Sequence, residues 1–324
     1  MKKFVAILLT LMLVLGIGAA VADEAPATPT TDLTDHETVK IKKVYKLEGA
    51  GTSPVETFTL KQVGDGTVTN GEATSAPALG TITGAAFAAG AATANSATGE
   101  ITVALPEYTS VGVYEYTLQE VAGTTAGVTY YGETIKLVVT VVNGKNNDLL
   151  RIAGVHTESS GVKSDTFENT YRAGTLNVSK TVTGNLGDKN KYFEFKVTLT
   201  GENGKTYGAS YAVTGGSKDD NPKSIVIGQE TTFMLKHGDT LSIANLPYGV
   251  TYTVTETAAA GYETTMTGDS GTIGAATQTA AFTNNKNGSI DTGVTTENLP
   301  YVLLIGFVVL AGAALLIKRK AHNN

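Results

Sequence analysis

Strand-like alternation that runs twice through the chain in the same order limits this sequence more than any other feature. The first copy opens with Thr38 to Tyr45 and the second with Thr175 to Val182, and aligning them superposes Lys43 on Lys180. Alternating runs follow at residues 57–61 and 193–199. Later, Tyr116-Thr-Leu-Gln-Glu120 matches Tyr252-Thr-Val-Thr-Glu256, and the copies close on Phe167-Glu-Asn169 and Phe282-Thr-Asn284. Gly, Asn-Gly and Pro turns punctuate the runs, and no 3.6-residue periodicity persists outside the two ends of the chain. The pattern predicts an all-β protein of two β-sandwiches in series, joined at Tyr171 to Gly174. Residues 71–100, rich in Ala, Gly, Ser and Thr, read as a long loop or insertion in the first.

Both ends carry addresses. Lys2 and Lys3 precede an apolar run that closes on Ala20-Val21-Ala22, the arrangement of a secretory signal peptide covering residues 1–22, with a retained anchor as the alternative. Residues 23–37 are Pro- and Thr-rich and read as a flexible lead-in. At the other end, Tyr301 to Ile317 is uncharged and apolar, enough for a helix of about 26 Å. Lys318, Arg319 and Lys320 follow it and hold the extreme C-terminus in the cytoplasm. Ser289-Ile290-Asp291-Thr292-Gly293 stands just ahead. This order of Thr-Gly segment, apolar helix and basic tail resembles the sorting signal that sortase transpeptidases cleave between Thr292 and Gly293, although the usual Leu-Pro pair is absent; a plain single-pass anchor is the other reading. Residues 289–324 are assigned to that signal.

Side chains of one parity share a strand face. In the first copy Val39, Ile41, Lys43 and Tyr45 lie together, as do Tyr114, Tyr116, Leu118 and Glu120, and Phe167, Asn169 and Tyr171. In the second the equivalent sets contain Lys180, Glu256 and Asn284. Each copy therefore aims one lysine, one glutamate and one asparagine inward, where leaving them unpaired costs several kcal/mol apiece. The plain structural reading is a buried ion pair with an asparagine filling a spare hydrogen bond. Its repetition in the same order on the same faces favours chemistry. Burial lowers a lysine pKa and raises a glutamate pKa, so a neutral amine is available to attack the asparagine Cγ while the acid hydrogen-bonds the amide carbonyl and shuttles protons. Lys42 and Asn285 are adjacent decoys that parity turns the other way.

With the sorting signal, these landmarks make nearly the whole chain similar to the backbone pilins of Gram-positive bacteria, in particular the streptococcal pilin isopeptide-linkage family. The resemblance implies two immunoglobulin-like (CnaB-type) domains, residues 38–172 and 173–288. Each would hold an autocatalytic isopeptide bond, Lys43 to Asn169 with Glu120 as catalyst and Lys180 to Asn284 with Glu256. It also implies a fibre in which a lysine of one subunit takes the Thr292 acyl group of the next; Lys163, six residues before Asn169, is the nearest counterpart, against the plain reading of a solvated surface lysine. The implied partners are sortase, identical subunits, peptidoglycan, minor pilins and host surface ligands, and the implied place is the cell wall and its pilus. A monomeric wall-anchored adhesin or stalk with the same domains is the alternative.

Other functions find little support. The chain has no cysteine, which excludes disulfides, thiol nucleophiles and thiolate metal sites, and its formal net charge of −6 argues against nucleic acid. His36, His156, His237 and His322 are scattered, so neither an enzyme triad nor a histidine metal site is expected, and no cofactor. Gly204-Lys205-Thr206 lacks the rest of a phosphate loop, and Asp219-Asp220-Asn221 reads as a solvated turn before it reads as a calcium site.

Overall fold

The computed structural model describes residues 37–93, 95–144 and 150–289, with 303–305, 308 and 311 in addition. The expected signal peptide, nearly all of the lead-in, Thr292 and Gly293 lie outside the described residues. Of the expected helix 301–317, Leu303 to Ile305, Val308 and Ala311 are helical, and among the described residues no helix is long and apolar enough to cross a membrane. The rest of what is described is strand and turn.

Eleven strands carry the account: β1 (Thr38–Gly49), β2 (Ala97–Ala104), β3 (Gly112–Glu120), β4 (Thr134–Asn143), β5 (Leu150–Ser159), β6 (Thr166–Thr183), β7 (Phe193–Thr200), β8 (Glu230–Leu235), β9 (Thr240–Pro247), β10 (Thr251–Glu256) and β11 (Thr277–Asn285). Among the described residues, one sheet runs through both halves of the chain and contains β2, β1, β6, β9 and β11. A second sheet, with β3, β4 and β5, packs on it in the first half, and a third, with β7, β8 and β10, packs on it in the second. The buried apolar side chains fall into two clusters. Ile41, Tyr45, Phe58, Tyr116, Leu118 and Phe167 belong to the first, and Leu176, Val178, Phe195, Val254 and Phe282 to the second. Each such side chain contributes about 1.5–3 kcal/mol by leaving water.

The segment expected to join the halves is itself strand. β6 is 18 residues long and passes from one half to the other without a linker. Its first part lies parallel to β1, with Lys43 opposite Phe167 and Tyr45 opposite Asn169. Its second part lies parallel to β11, with Lys180 opposite Phe282 and Val182 opposite Asn284. Gly174, which reads as a breaker, marks a bulge where the pairing with β9 shifts between Gly174 and Leu176. A Cβ there would stand 2.2 Å from the Ala275 carbonyl oxygen, so glycine admits a close backbone approach instead of ending the strand.

Residues 71–100 also differ from the expected loop. They include Ile82–Thr83, Ala85–Phe87 and the start of β2, which pairs antiparallel with β1. Ala85, Phe87 and Ala92 are buried, and a Cβ on Gly99 would come within 3.0 Å of the Phe87 ring. The packing uses small residues against one aromatic, which leaves little hydrophobic alternation to read. Residues 57–61, expected as one strand, split into Glu56–Phe58 and Leu60–Gln62, which pair in different sheets.

Candidate functional site

Adjacent parallel strands that open and close each half set the first two members of the site. Because the asparagine stands opposite the residue two places beyond the lysine, Lys43 and Asn169 share one inward face of the sheet, and Lys180 and Asn284 share the same face farther along. The third member comes from across the sandwich. Glu120 ends β3 and Glu256 ends β10, each on the sheet that faces the first two.

In the first half all three residues are buried, with Lys43 at 0% exposure. The Lys43 ammonium donates to Glu120 Oε2 and, at 2.7 Å, to Asn169 Oδ1. Asn169 Nδ2 donates to Glu120 Oε1 at 2.5 Å, and the Tyr131 backbone N–H donates to the same oxygen at 3.2 Å. In the second half Lys180 Nζ donates to both oxygens of Glu256, at 2.8 and 2.7 Å, and Asn284 Nδ2 donates to Glu256 Oε1 at 2.5 Å. Asn284 Oδ1 is buried and, among the described residues, accepts no hydrogen bond. Aromatic rings wall both amines: Phe58 and Tyr131 lie 5.3 and 5.8 Å from Lys43 Nζ, and Phe193 and Phe195 lie 4.3 and 5.6 Å from Lys180 Nζ.

Burial pushes both lysines below their ordinary pKa, and the hydrogen bond and charge of the partner glutamate oppose that shift without reversing it. The direction is the one a nucleophilic amine needs. One contact departs from expectation: each glutamate faces the asparagine Nδ2, the nitrogen that would leave, and not the carbonyl oxygen. A carboxylate can accept from Nδ2; a protonated glutamate would require the amide turned over, exchanging Nδ2 and Oδ1.

The decoys lie elsewhere. Lys42 is exposed, and Asn285 accepts from Thr183 Oγ1 at 3.2 Å at the sheet surface. Lys163 is exposed on a two-residue strand, Val162–Lys163, opposite Glu158 of β5 and three residues before β6. Asn221 is not in a solvated turn: it is buried and braces Met234, whose N–H it accepts at 2.8 Å and whose carbonyl it donates to at 2.9 Å. Sequence reasoning missed the aromatic walls and the Tyr131 N–H. Phe195 shares its alternating run with Val197, which was a usable signal, whereas nothing in Tyr130-Tyr131 marks which of them turns toward the amine.

Residues 39–172 match the model of a family described as the Spy0128-like isopeptide-containing domain. A pilin of Streptococcus pyogenes serotype M1 is 29% identical over 253 residues, covering 70% of this chain and 73% of that protein. The first half of the chain thus carries the isopeptide-containing domain, and the chain over most of its length is similar to a Gram-positive pilin. It also shares 36% identity over 129 residues with the pilus tip adhesin Cpa of Streptococcus pyogenes, covering 38% of this chain and only 18% of the adhesin. The crystal structure of the major pilin from Streptococcus pyogenes aligns with a TM-score of 0.50 at 23% identity, over 78% of this chain and 99% of that one, a likeness of fold. Residues 174–286 match a domain family of unknown function, so the second Lys, Glu and Asn set is described by its geometry alone.

Proposed function

We propose that this chain is a pilin, the structural subunit of a covalent surface fibre, built of two tandem immunoglobulin-like domains that each close themselves with a side-chain amide. The observation that carries the reading is the recurrence of one buried lysine, glutamate and asparagine arrangement on equivalent strands of both halves. In the first domain Lys43 Nζ attacks Asn169 Cγ. The Nζ–Cγ bond forms, Glu120 takes a proton from Nζ and returns one to Nδ2, and the Cγ–Nδ2 bond breaks to release ammonia. Lys180, Glu256 and Asn284 do the same in the second domain. No external enzyme or cofactor enters the balance, since one amine and one primary amide give one secondary amide and ammonia.

Assembly is a separate, enzyme-driven step. Sortase cleaves between Thr292 and Gly293 and passes the Thr292 acyl group to Lys163 of another copy or to peptidoglycan, after export directed by residues 1–22 and retention by the segment 301–317. Exposure of Lys163 on a short edge strand supports its role as acceptor. Co-expression with sortase should yield a ladder of high-mass species that survives boiling in detergent, and peptide sequencing should find Thr292 branched on Lys163. A single band would favour the monomeric wall-anchored adhesin, the reading to which the similarity with the tip adhesin lends its weight.

A further inference from the structure

The two links do not share one load. We propose that the Lys180 to Asn284 link carries the tension of the fibre, whereas the Lys43 to Asn169 link lies off the load path and secures the fold of the first domain. The proposal rests on the assembly reading above, in which force enters a subunit at Lys163 and leaves it at Thr292.

Strand order decides the matter. Lys163 lies inside the loop that the first link closes, so two routes lead from it to Asn169. One is the six residue steps of the backbone directly between them; the other runs back 120 steps to Lys43 and crosses the link. The short route tightens first and leaves the link slack. Beyond Asn169 the backbone continues as β6, unbroken and already extended to Thr183, and so delivers force to Lys180 with little length to give. Bonding on both flanks, to β1 and then to β9 and β11, holds that strand in the sheet.

At Lys180 the situation reverses. The onward backbone route to Asn284 is 104 residue steps through the whole second domain, and the link is the short route. Without it, tension must be held by the hydrogen bonds of that domain. The linker-free passage of β6 between halves gives the division its force: Asn169 and Lys180 lie eleven steps apart on one strand, with only the bulge at Gly174 between the two junctions. Residues 37–162 then form a covalently locked lobe that presents Lys163 without bearing load.

The absence of cysteine allows thiol handles to be placed at will in the full chain. One pair of handles is Lys163→Cys with Ser289→Cys, and the other is Thr38→Cys with Ser289→Cys. Each is pulled in a single-molecule instrument in the parent chain, Glu120→Ala and Glu256→Ala, after intact mass has shown which link each variant lacks. Held at residue 163, only Glu256→Ala should lengthen, by roughly 350 Å of released chain. Held at residue 38, Glu256→Ala should give that step and Glu120→Ala one of roughly 400 Å. Asn169→Ala and Asn284→Ala, which keep the lysine and glutamate together, should repeat the pattern. A long step from Glu120→Ala or Asn169→Ala held at residue 163, or none from the second-domain variants, would overturn the division of labour. Mapping the Thr292 branch to another lysine would also overturn it by moving the point of loading, and that result is distinct from the pulling data, which involve no sortase.

Discussion

Lys43 and Lys180 are each stripped of water and held against a single carboxylate, and this placement fixes what the site can do. Substituting Lys43→Ala should leave one released ammonia unaccounted for, raising the intact mass by about 17 Da beyond the change expected from the substitution. Lys42→Ala, one position away on the exposed face, should leave the ammonia loss intact. Burial lowers the amine pKa from its ordinary 10.5, so the reactive neutral form is reached at lower pH than for a free lysine. In freshly refolded chain, linking should therefore speed up as pH rises and level off below 10.5; a plateau only at or above that value would mean that burial does not activate the amine. Strand parity alone placed Lys43, Lys180, Asn169 and Asn284 on inward faces, because a period of two leaves little ambiguity once apolar neighbours mark the core side. The partner atoms of the amide were not legible, since parity fixes a side and not a rotamer.

At the scale of the element, β6 is where the sequence said least. Its alternation continues through Tyr171, Ala173 and Leu176, and only Gly174 interrupts it, which reads equally as a turn or as a bulge. The bulge prevails because the Ala275 carbonyl approaches the chain there and both halves of the strand have partners on each side. Gly174→Val should lower stability by about 1–3 kcal/mol through that clash, measured by thermal melting in a chain that also carries Asn284→Ala, so that the second link does not mask the loss. Unchanged melting would mean the bulge can relax at no cost. The Ala- and Gly-rich segment before β2 was illegible for a related reason. Its buried positions are alanines and one phenylalanine, and contacts through Gly99 leave no side-chain signal at all.

At the scale of the whole molecule, a chain without cysteine that is proposed to work outside the cell needs another way to restrain its unfolded state. Closing loops of 126 and 104 residue steps is worth on the order of 5 kcal/mol per link by chain entropy. Glu120→Ala should accordingly lower the melting temperature of the first domain by roughly 15 °C, and reductant should change neither protein. The repeat legible in the sequence supplied the two cores and the polar residues aimed into each; the parallel pairing of first strand with last, and the single sheet running through both, came from tertiary pairing that no local pattern announces.

The most direct test of the central claim is the intact mass of residues 23–292 made without sortase. Two spontaneous links predict a mass about 34 Da below that of the sequence, the loss of two ammonia molecules, with branched peptides joining Lys43 to Asn169 and Lys180 to Asn284. A mass equal to the sequence value, from folded protein, would contradict the account.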